Sequence, residues 1–246
     1  MSARAGGVGG GAGAGPGGPH TAPPRTDDLS PLPTTALRLA RAVASVRYSR
    51  RYRIETHGAA YVPADGPVLL VPTRAGHLDG AILAVVAPRP VHRLVAREVV
   101  PGRAGWLLGA LGQVPMSRGR VDPAAVRRCV RALRDGRVLA VDPHDRRVLA
   151  YLPLVTGAPV VPVAVLGARL AGRPVRRGPP KGTRVVVAFG RAQRVAPEPW
   201  PRRRVGVDAM AERLRAMLAT HVAATVASTG VARPDRAPDR AEEGTR

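Results

Sequence analysis

The sequence predicts an α/β fold, in which a single domain has a mixed central sheet flanked by helices. Short apolar runs typical of buried strands alternate with helical patterns along the middle of the chain. The 246 residues, 45% of them hydrophobic, can bury a sizeable core. We expect this domain at residues 34–228, between a disordered N-terminus rich in glycine, alanine and proline (1–33) and a disordered tail (229–246).

The first predicted element is a basic amphipathic helix between Thr35 and Arg53. Apolar residues recur there near helical spacing, and arginines lie among and after them. Such a helix can lie on an anionic membrane surface, or it can pack on its own domain and leave its basic face in solvent. The sequence leaves both interpretations open.

Five strands are predicted from short apolar runs. The first comes directly after the turn signal Ala64-Asp65-Gly66, and its continuous apolar character is typical of a strand buried on both faces. The five runs cover residues 67–72, 91–96, 138–141, 160–165 and 184–189. Because they alternate with helical segments, they indicate an α/β arrangement.

The other helices are predicted from apolar periodicity and from end signals. The clearest one begins at Asp122-Pro123, where an N-cap acid precedes a proline at the first helical position. It ends before Gly136, which stands where a C-terminal cap belongs. Further helices are expected from near Asp79, over residues 106–111 and over residues 207–226.

The formal net charge of +22 would suit a polyanionic partner such as nucleic acid or an anionic membrane. Aromatic residues, which stack on bases, make up only 3% of the chain, and the sequence contains no recognisable reading helix or zinc module. We therefore expect no nucleic-acid partner, and a basic nucleic-acid-binding protein is only the last alternative. An anionic membrane surface is the partner that we expect for this charge.

The single cysteine and the distribution of apolar segments limit which compartment and which cofactors are expected for the protein. Cys129 is the only cysteine, so neither an intrachain disulfide nor a thiolate zinc site can form, and no other pattern predicts a metal or an organic cofactor. The N-terminus has no apolar segment of a secretory signal. Three prolines in the uncharged stretch 148–168 favour a helix, a turn and a strand over a membrane span. These observations predict a cytoplasmic protein.

Three segments carry a resemblance to a known family by their order and spacing: residues 62–80, 112–120 and 157–167. Together they resemble the glycerolipid acyltransferase family, which includes 1-acylglycerol-3-phosphate O-acyltransferases. The resemblance implies a glycerol-3-phosphate acyltransferase-like fold and transfer of a fatty acyl group from acyl-CoA or acyl-carrier protein to a lysophospholipid such as 1-acylglycerol-3-phosphate. It also implies a peripheral position on the inner face of the membrane.

The family's first motif is Asn-His-x4-Asp, in which the histidine is the general base and the aspartate supports the imidazole. Asp79 matches the aspartate, and Arg74 stands in the position of the histidine. An arginine can hold an anion but cannot accept a proton at physiological pH, so we expect Arg74 to bind substrate and to form an ion pair with Asp79. His77 is then the candidate catalytic base, with Asp79 as its support.

The second and third family motifs bind the phosphate of the acceptor. Arg118 matches the arginine of the second motif, and a guanidinium suits phosphate because its planar fork donates two parallel hydrogen bonds. The third motif, Phe-Pro-Glu-Gly-Thr-Arg, is altered, since Arg147 matches its arginine but His144 replaces the glutamate and Asp145 the glycine. The resemblance makes Arg147 and His144 candidates for substrate binding. A pair of His144 with Asp145 is an alternative source of acid–base chemistry.

Two activities are compatible with these altered motifs. The first is an acyltransferase in which another group replaces the missing base. The second is a catalytically impaired relative that binds lipid or acyl thioester at a membrane surface without turnover. An acyl-transfer assay separates the two hypotheses.

Overall fold

The computed structural model describes residues 24–73, 77–96, 108–116, 122–168, 178–197 and 204–232. Its main helices are α1 (Thr35–Arg51), α2 (His77–Val86), α3 (Pro123–Arg134), α4 (Arg146–Thr156) and α5 (Arg204–Thr229), and a short 3₁₀ helix covers Ala59–Tyr61. Its strands are β1 (Arg53–His57), β2 (Val68–Pro72), β3 (Val91–Ala96), β4 (Val114–Met116), β5 (Val138–Ala140), β6 (Val160–Leu166) and β7 (Arg184–Phe189).

The strands form one mixed, seven-stranded sheet in the order β1-β7-β6-β2-β5-β3-β4. Every neighbouring pair is parallel except β6 and β7, which run antiparallel. The predicted α/β fold with a mixed central sheet flanked by helices is thus confirmed. All five predicted strands are present, as β2, β3, β5, β6 and β7.

The two strands at the edges of the sheet, β1 and β4, were not predicted. β1 has the mostly exposed, polar sequence Arg-Ile-Glu-Thr-His, and it pairs with residues of β7 that lie 131 positions later in the chain. β4 is three residues long and contains Pro115, a residue that edge strands tolerate. β1 lacks the continuous apolar signal of a central strand, and β4, although Val114 and Met116 are buried, is too short to give one.

β2 lies in the middle of the sheet and is buried on both faces. Leu69 and Val71 point to the face that is covered by α3, α4 and α5. Leu70 points to the opposite face and packs with Ile82 and Leu83 of α2. This alternation follows from the two-residue period of a strand, so a central strand of this kind is apolar at every position.

The strands β2 to β6 all run in the same direction, so their carboxyl ends meet at one edge of the sheet, which we call the carboxyl edge. β5 pairs directly with β2, with Leu70 opposite Ala140. The segments that lead from β2 to α2 and from β5 to α4 therefore begin side by side. Ligands of open α/β sheets bind outside this edge, and both of these segments include residues that carry the resemblance to the acyltransferase family.

The ends of α3 agree with the sequence prediction. The Asp122 carboxylate accepts hydrogen bonds from the backbone N–H groups of Ala124 and Ala125, and Pro123 follows it at the first helical position. Gly136 has a positive φ of 70°, a conformation that glycine adopts without strain. Both end signals therefore act as the sequence predicted.

Part of the stretch predicted as a disordered N-terminus packs against α3. Thr26 is buried, its hydroxyl accepts a hydrogen bond from Arg134, and its carbonyl accepts one from Arg131. Residues 1–23 and 233–246 lie outside the described residues. The bounds of the domain at 34 and 228 therefore stay predictions.

The uncharged stretch 148–168 divides into α4, a turn at Gly157 and the buried strand β6, as its prolines predicted. Gly157 ends α4 with a φ of 66°, and Pro153 lies within the helix. Within the described ranges, none of the helices has both the length and the apolar character that crossing a membrane requires.

Candidate active site

Asp79 is a buried carboxylate in the first turn of α2, directly beyond the carboxyl end of β2. A negative charge is favourable in this position because the first turn of a helix presents unpaired backbone N–H groups. Gly80 follows it directly in the same helix. Burial of this acid requires compensation by a nearby cation or by hydrogen bonds.

Arg93 of β3 supplies positive charge to two acids at the carboxyl edge. Its guanidinium lies against Gly80, since a Cβ atom added to this glycine would be 1.9 Å from Arg93 Cζ. Burial lowers the pKa of the Arg93 guanidinium, while the negative charges of Asp79 and Asp142 raise it. Arg93 therefore connects the aspartate of the first motif, on α2, with an aspartate that follows β5.

The register of the sheet explains this position. Arg93 is opposite Ala140, the last residue of β5, and Asp142 follows two residues later. An arginine fork can serve two carboxylates at once, which a single ammonium does less well. We call the set of Asp79, Arg93 and Asp142 the charge cluster.

Asp142 also holds the imidazole of His144. His144 Nδ1 lies 2.7 Å from Asp142 Oδ1, and the backbone N–H of His144 donates to the same oxygen at 2.9 Å. An ionised carboxylate only accepts hydrogen bonds, so Nδ1 carries the hydrogen in this pair and Nε2 is the acceptor of the neutral ring. The side chain of His144 is 64% exposed and that of Asp142 is 27% exposed. The partner of His144 is thus Asp142, whereas the sequence suggested Asp145.

Comparisons with known proteins show what this chain is similar to. Residues 53–158 match the sequence model of the family described as Acyltransferase. The 1-acyl-sn-glycerol-3-phosphate acyltransferase of Bacillus subtilis (strain 168) is 24% identical over 130 residues, which cover 48% of this chain and 65% of that relative. These two matches show that the chain is similar to acyltransferases over residues 53–158, which are 106 of its 246 residues.

A solved structure supports the same fold. The crystal structure of the 1-acyl-sn-glycerophosphate (LPA) acyltransferase PlsC from Thermotoga maritima has a TM-score of 0.53 and 16% sequence identity, and the match covers 78% of this chain and 79% of that one. This likeness concerns the fold. The chemistry of this chain has to be argued from its own residues.

Thr73, which stands in the asparagine position of the first acyltransferase motif, is occupied by structural bonds. It is buried, its backbone N–H donates to the carbonyl of Val163, and its Oγ1 accepts from the N–H of Val165 at 2.9 Å. Oγ1 also donates to the Val165 carbonyl at 3.3 Å. These bonds continue the β2–β6 pairing by one residue, so Thr73 fixes the exit from β2.

Two of the predicted site residues, Arg74 and Arg118, lie outside the described residues, and so does the expected ion pair between Arg74 and Asp79. His77 is the first residue of α2, two positions before Asp79. The catalytic role of His77 stays a prediction.

The two arginines after His144 differ in their surroundings. Arg146 forms an ion pair with Glu212 of α5, which ties the start of α4 to the last helix. Arg147 is exposed on the first turn of α4 and makes no ion pair with the described part of the chain. Arg147 therefore has a guanidinium available for an anionic group, and its role in substrate binding stays a prediction.

The sequence interpretation overlooked Arg93 and Asp142. Arg93 is one of 39 lysines and arginines, and only the register of β3 with β5 distinguishes it from the others. For Asp142, the Asp-Pro-His order was a usable signal, because an aspartate commonly bonds to the backbone two residues later in a turn. In the part of the chain that the structure describes, no group of three or more His, Cys, Asp or Glu side chains is arranged to hold a metal ion.

Proposed function

We propose that this chain is a member of the glycerolipid acyltransferase family and transfers a fatty acyl group from acyl-CoA or acyl-carrier protein to the hydroxyl of a lysophospholipid such as 1-acylglycerol-3-phosphate. The observation that carries the proposal is the charge cluster at the carboxyl edge, within the segment that matches the family. It keeps the motif aspartate, Asp79, buried and charge-compensated although the motif histidine is replaced.

The transfer exchanges a thioester for an ester. The hydroxyl oxygen attacks the carbonyl carbon, a carbon–oxygen bond forms, the carbon–sulfur bond breaks, and the hydroxyl proton ends on the departing sulfur. The protein has to take up this proton in passing and to hold the anionic acceptor near the thioester. Arg147 is exposed and lies five positions after Asp142 in the chain, and we assign its guanidinium to the acceptor phosphate, together with that of Arg118 of the second motif.

The test is acyl transfer from labelled oleoyl-CoA to lysophosphatidic acid, with a reaction lacking acceptor as the control. Release of coenzyme A can be followed with a thiol reagent, because the protein's one cysteine does not interfere. Cys129 is fully buried, and burial raises the pKa of its thiol to about 12. Acceptor-dependent release of coenzyme A together with labelled phosphatidic acid is the expected result.

The alternative is a catalytically impaired family member that binds lipid or acyl thioester. It is favoured by Arg74, because an arginine in the histidine position cannot act as a base. Binding of oleoyl-CoA without turnover, for lysophosphatidic acid and for lysophospholipids with other headgroups, would support this alternative and overturn the proposed transfer.

We also propose that α1 holds the protein on the anionic inner face of the membrane. Leu39, Val43 and Val46 lie one helical turn apart on α1 and are 69%, 66% and 51% exposed. Three exposed arginines accompany this stripe: Arg38, Arg47 and Arg50. An apolar stripe with basic flanks complements a lipid surface that carries negative charge.

The opposite side of α1 is attached to the domain. Leu37 is buried, and Arg41 donates from Nε to the carbonyl of Val85 at 3.2 Å and from the guanidinium to the carbonyl of Ala87, at the end of α2. A cation suits the carboxyl end of a helix, whose last carbonyls have no partner within the helix. The helix therefore packs on its domain and still presents a separate outer surface.

Sedimentation with lipid vesicles tests this surface. We expect the parent protein to sediment with vesicles of phosphatidylglycerol and phosphatidylcholine more than with phosphatidylcholine alone. Leu39→Ser with Val43→Ser should weaken binding by at least about tenfold, because each side chain loses ~1.5–3 kcal/mol of apolar burial. Val205→Ser, at a position of α5 that is 79% exposed, is the matched control and should bind like the parent. Unchanged binding of the double variant would contradict the proposal.

A further inference from the structure

The geometry points to His144 as the general base of the transfer, with Asp142 as the residue that positions it. This assignment rests on the proposed acyl transfer and names the group that replaces the missing motif histidine. His144 and Asp142 provide an imidazole and a carboxylate joined through Nδ1 at 2.7 Å, on the segment that follows the strand next to β2. A base displaced from one strand end to its neighbour stays at the same carboxyl edge.

The orientation of the imidazole favours proton uptake. Because Nδ1 donates to the carboxylate, Nε2 holds the lone pair, and no hydrogen bond to Nε2 is present in the described residues. The ring is largely exposed, so a substrate hydroxyl can reach it. A carboxylate behind Nδ1 also stabilises the imidazolium that forms when Nε2 takes a proton.

Asp142 is more than the acceptor of a local turn. Its charge reaches the Arg93 guanidinium, which also compensates the buried Asp79 on α2. The carboxylate that orients His144 thus belongs to the charge cluster, on which the segments after β2 and β5 converge. A histidine held only by a surface turn would lack this connection to the motif aspartate.

The proposed step balances without a further reactant. His144 Nε2 takes the proton of the lysophospholipid hydroxyl while its oxygen attacks the thioester carbonyl carbon. The carbon–oxygen bond forms, the electron pair of the carbon–sulfur bond leaves with sulfur, and the imidazolium returns the proton to that sulfur. The products are the ester and the free thiol, and His144 is neutral again.

The decisive variants are His144→Asn and His144→Ala. Asparagine can still donate to Asp142 and keep the turn, but it cannot act as a base at neutral pH. We expect kcat to fall about 10²–10⁴-fold in both variants, which is the usual contribution of a general base. Their midpoint temperatures of thermal unfolding should equal that of the parent. Added imidazole should restore part of the turnover of His144→Ala, which a merely structural loss would not allow.

The chain offers a matched control in His57. This histidine is 55% exposed and lies 4.0 Å from a carboxylate oxygen of Glu55, but it is on β1, which β7 and β6 separate from β2. His57→Ala should therefore keep the turnover of the parent. His77→Ala tests the candidate base from the first motif in the same assay.

Asp142→Asn tests the positioning role. We expect kcat to fall with little change in KM, and the double variant with His144→Ala to be no slower than His144→Ala alone, because Asp142 acts through the imidazole. If the parent is active and the turnover of His144→Asn and His144→Ala is undiminished, this assignment is overturned and the proposed function stays intact. Loss of activity in His77→Ala alone would assign the base to His77. A parent without turnover would overturn the proposed function and the assignment with it.

Discussion

The segments that follow β2 and β5 start side by side at the carboxyl edge, yet they contain different sets of potentially catalytic side chains. After β2, the hydroxyl of Thr73 is committed to Val165, and an arginine stands where the family has its histidine. After β5, a histidine stands where the family has a glutamate, and it is already bound to Asp142. The first segment contains the motif aspartate without the motif histidine, and the second contains an imidazole–carboxylate pair joined by a hydrogen bond.

From this difference we infer that a catalytic group can follow either of two neighbouring strands and still lie at the same edge of the sheet. Neighbouring parallel strands are only ~5 Å apart, so a catalytic group can change strands without leaving the edge. What has to be preserved is the electrostatic support, and here Arg93 provides it for both segments. Substitutions at the charge cluster therefore probe whether the two segments form one site.

The largest effect is expected for Arg93→Met. Removing the guanidinium leaves Asp79 and Asp142 without their shared cation, and breaking a buried charge arrangement from one side costs about 3–5 kcal/mol of unfolding free energy. Denaturation with urea measures the change, and Arg147→Met, at an exposed arginine, is the control that should stay within ~0.5 kcal/mol of the parent. Arg93→Lys keeps the charge without the fork and should lie between them. Equal stability of Arg93→Met and the parent would show that the two segments are not coupled through this residue.

Sequence reasoning was most successful where local chemistry decides the structure. The apolar run of β2 and the end signals of α3 needed no distant partner, and both were predicted at their observed places. Edge strand β1 could not be predicted in this way, because its pairing with β7 depends on residues 131 positions away. Register and long-range pairing are not encoded in a short window of sequence.

The same limit applies to the site. The motif spacing identified Asp79 as a candidate, and this residue is buried in the first turn of α2, at the carboxyl edge. The spacing could not identify Arg93, because its partners come from α2 and from the segment after β5. The choice of Asp145 as the partner of His144 followed adjacency, whereas the turn brings Asp142, two residues earlier, onto both the backbone and the ring.

An intermediate effect is expected for Gly80→Ala, and its sign is informative. Alanine is favoured over glycine inside a helix by about 1 kcal/mol, so helix propensity alone predicts stabilisation. Here the new Cβ would lie 1.9 Å from Arg93 Cζ and force the guanidinium away from its two carboxylates. We expect a net loss of about 2 kcal/mol in unfolding free energy, as for overpacked sites. Gly109→Ala, where a Cβ meets no atom within 4 Å, is the control.

Combining Gly80→Ala with Arg93→Met sharpens this result. Once the guanidinium is absent, the alanine methyl group has room, so the two losses should not add. Additive losses, with each substitution costing as much alone as in the pair, would contradict the close approach of Gly80 to Arg93.

The smallest effect is expected for Thr73→Val, which concerns the segment after β2 alone. Valine has the shape of threonine but leaves the buried N–H of Val165 without the oxygen that accepts from it at 2.9 Å. The expected loss is about 1 kcal/mol of unfolding free energy, the usual net value of such a bond. Thr183→Val, at an exposed threonine that donates to the carbonyl of Pro180, should change stability by less than ~0.5 kcal/mol. If Thr73→Val lowers acyl transfer by much more than its stability loss explains, then Thr73 acts in the chemistry. In that case the segment after β2 contributes a second residue, besides Asp79, to acyl transfer.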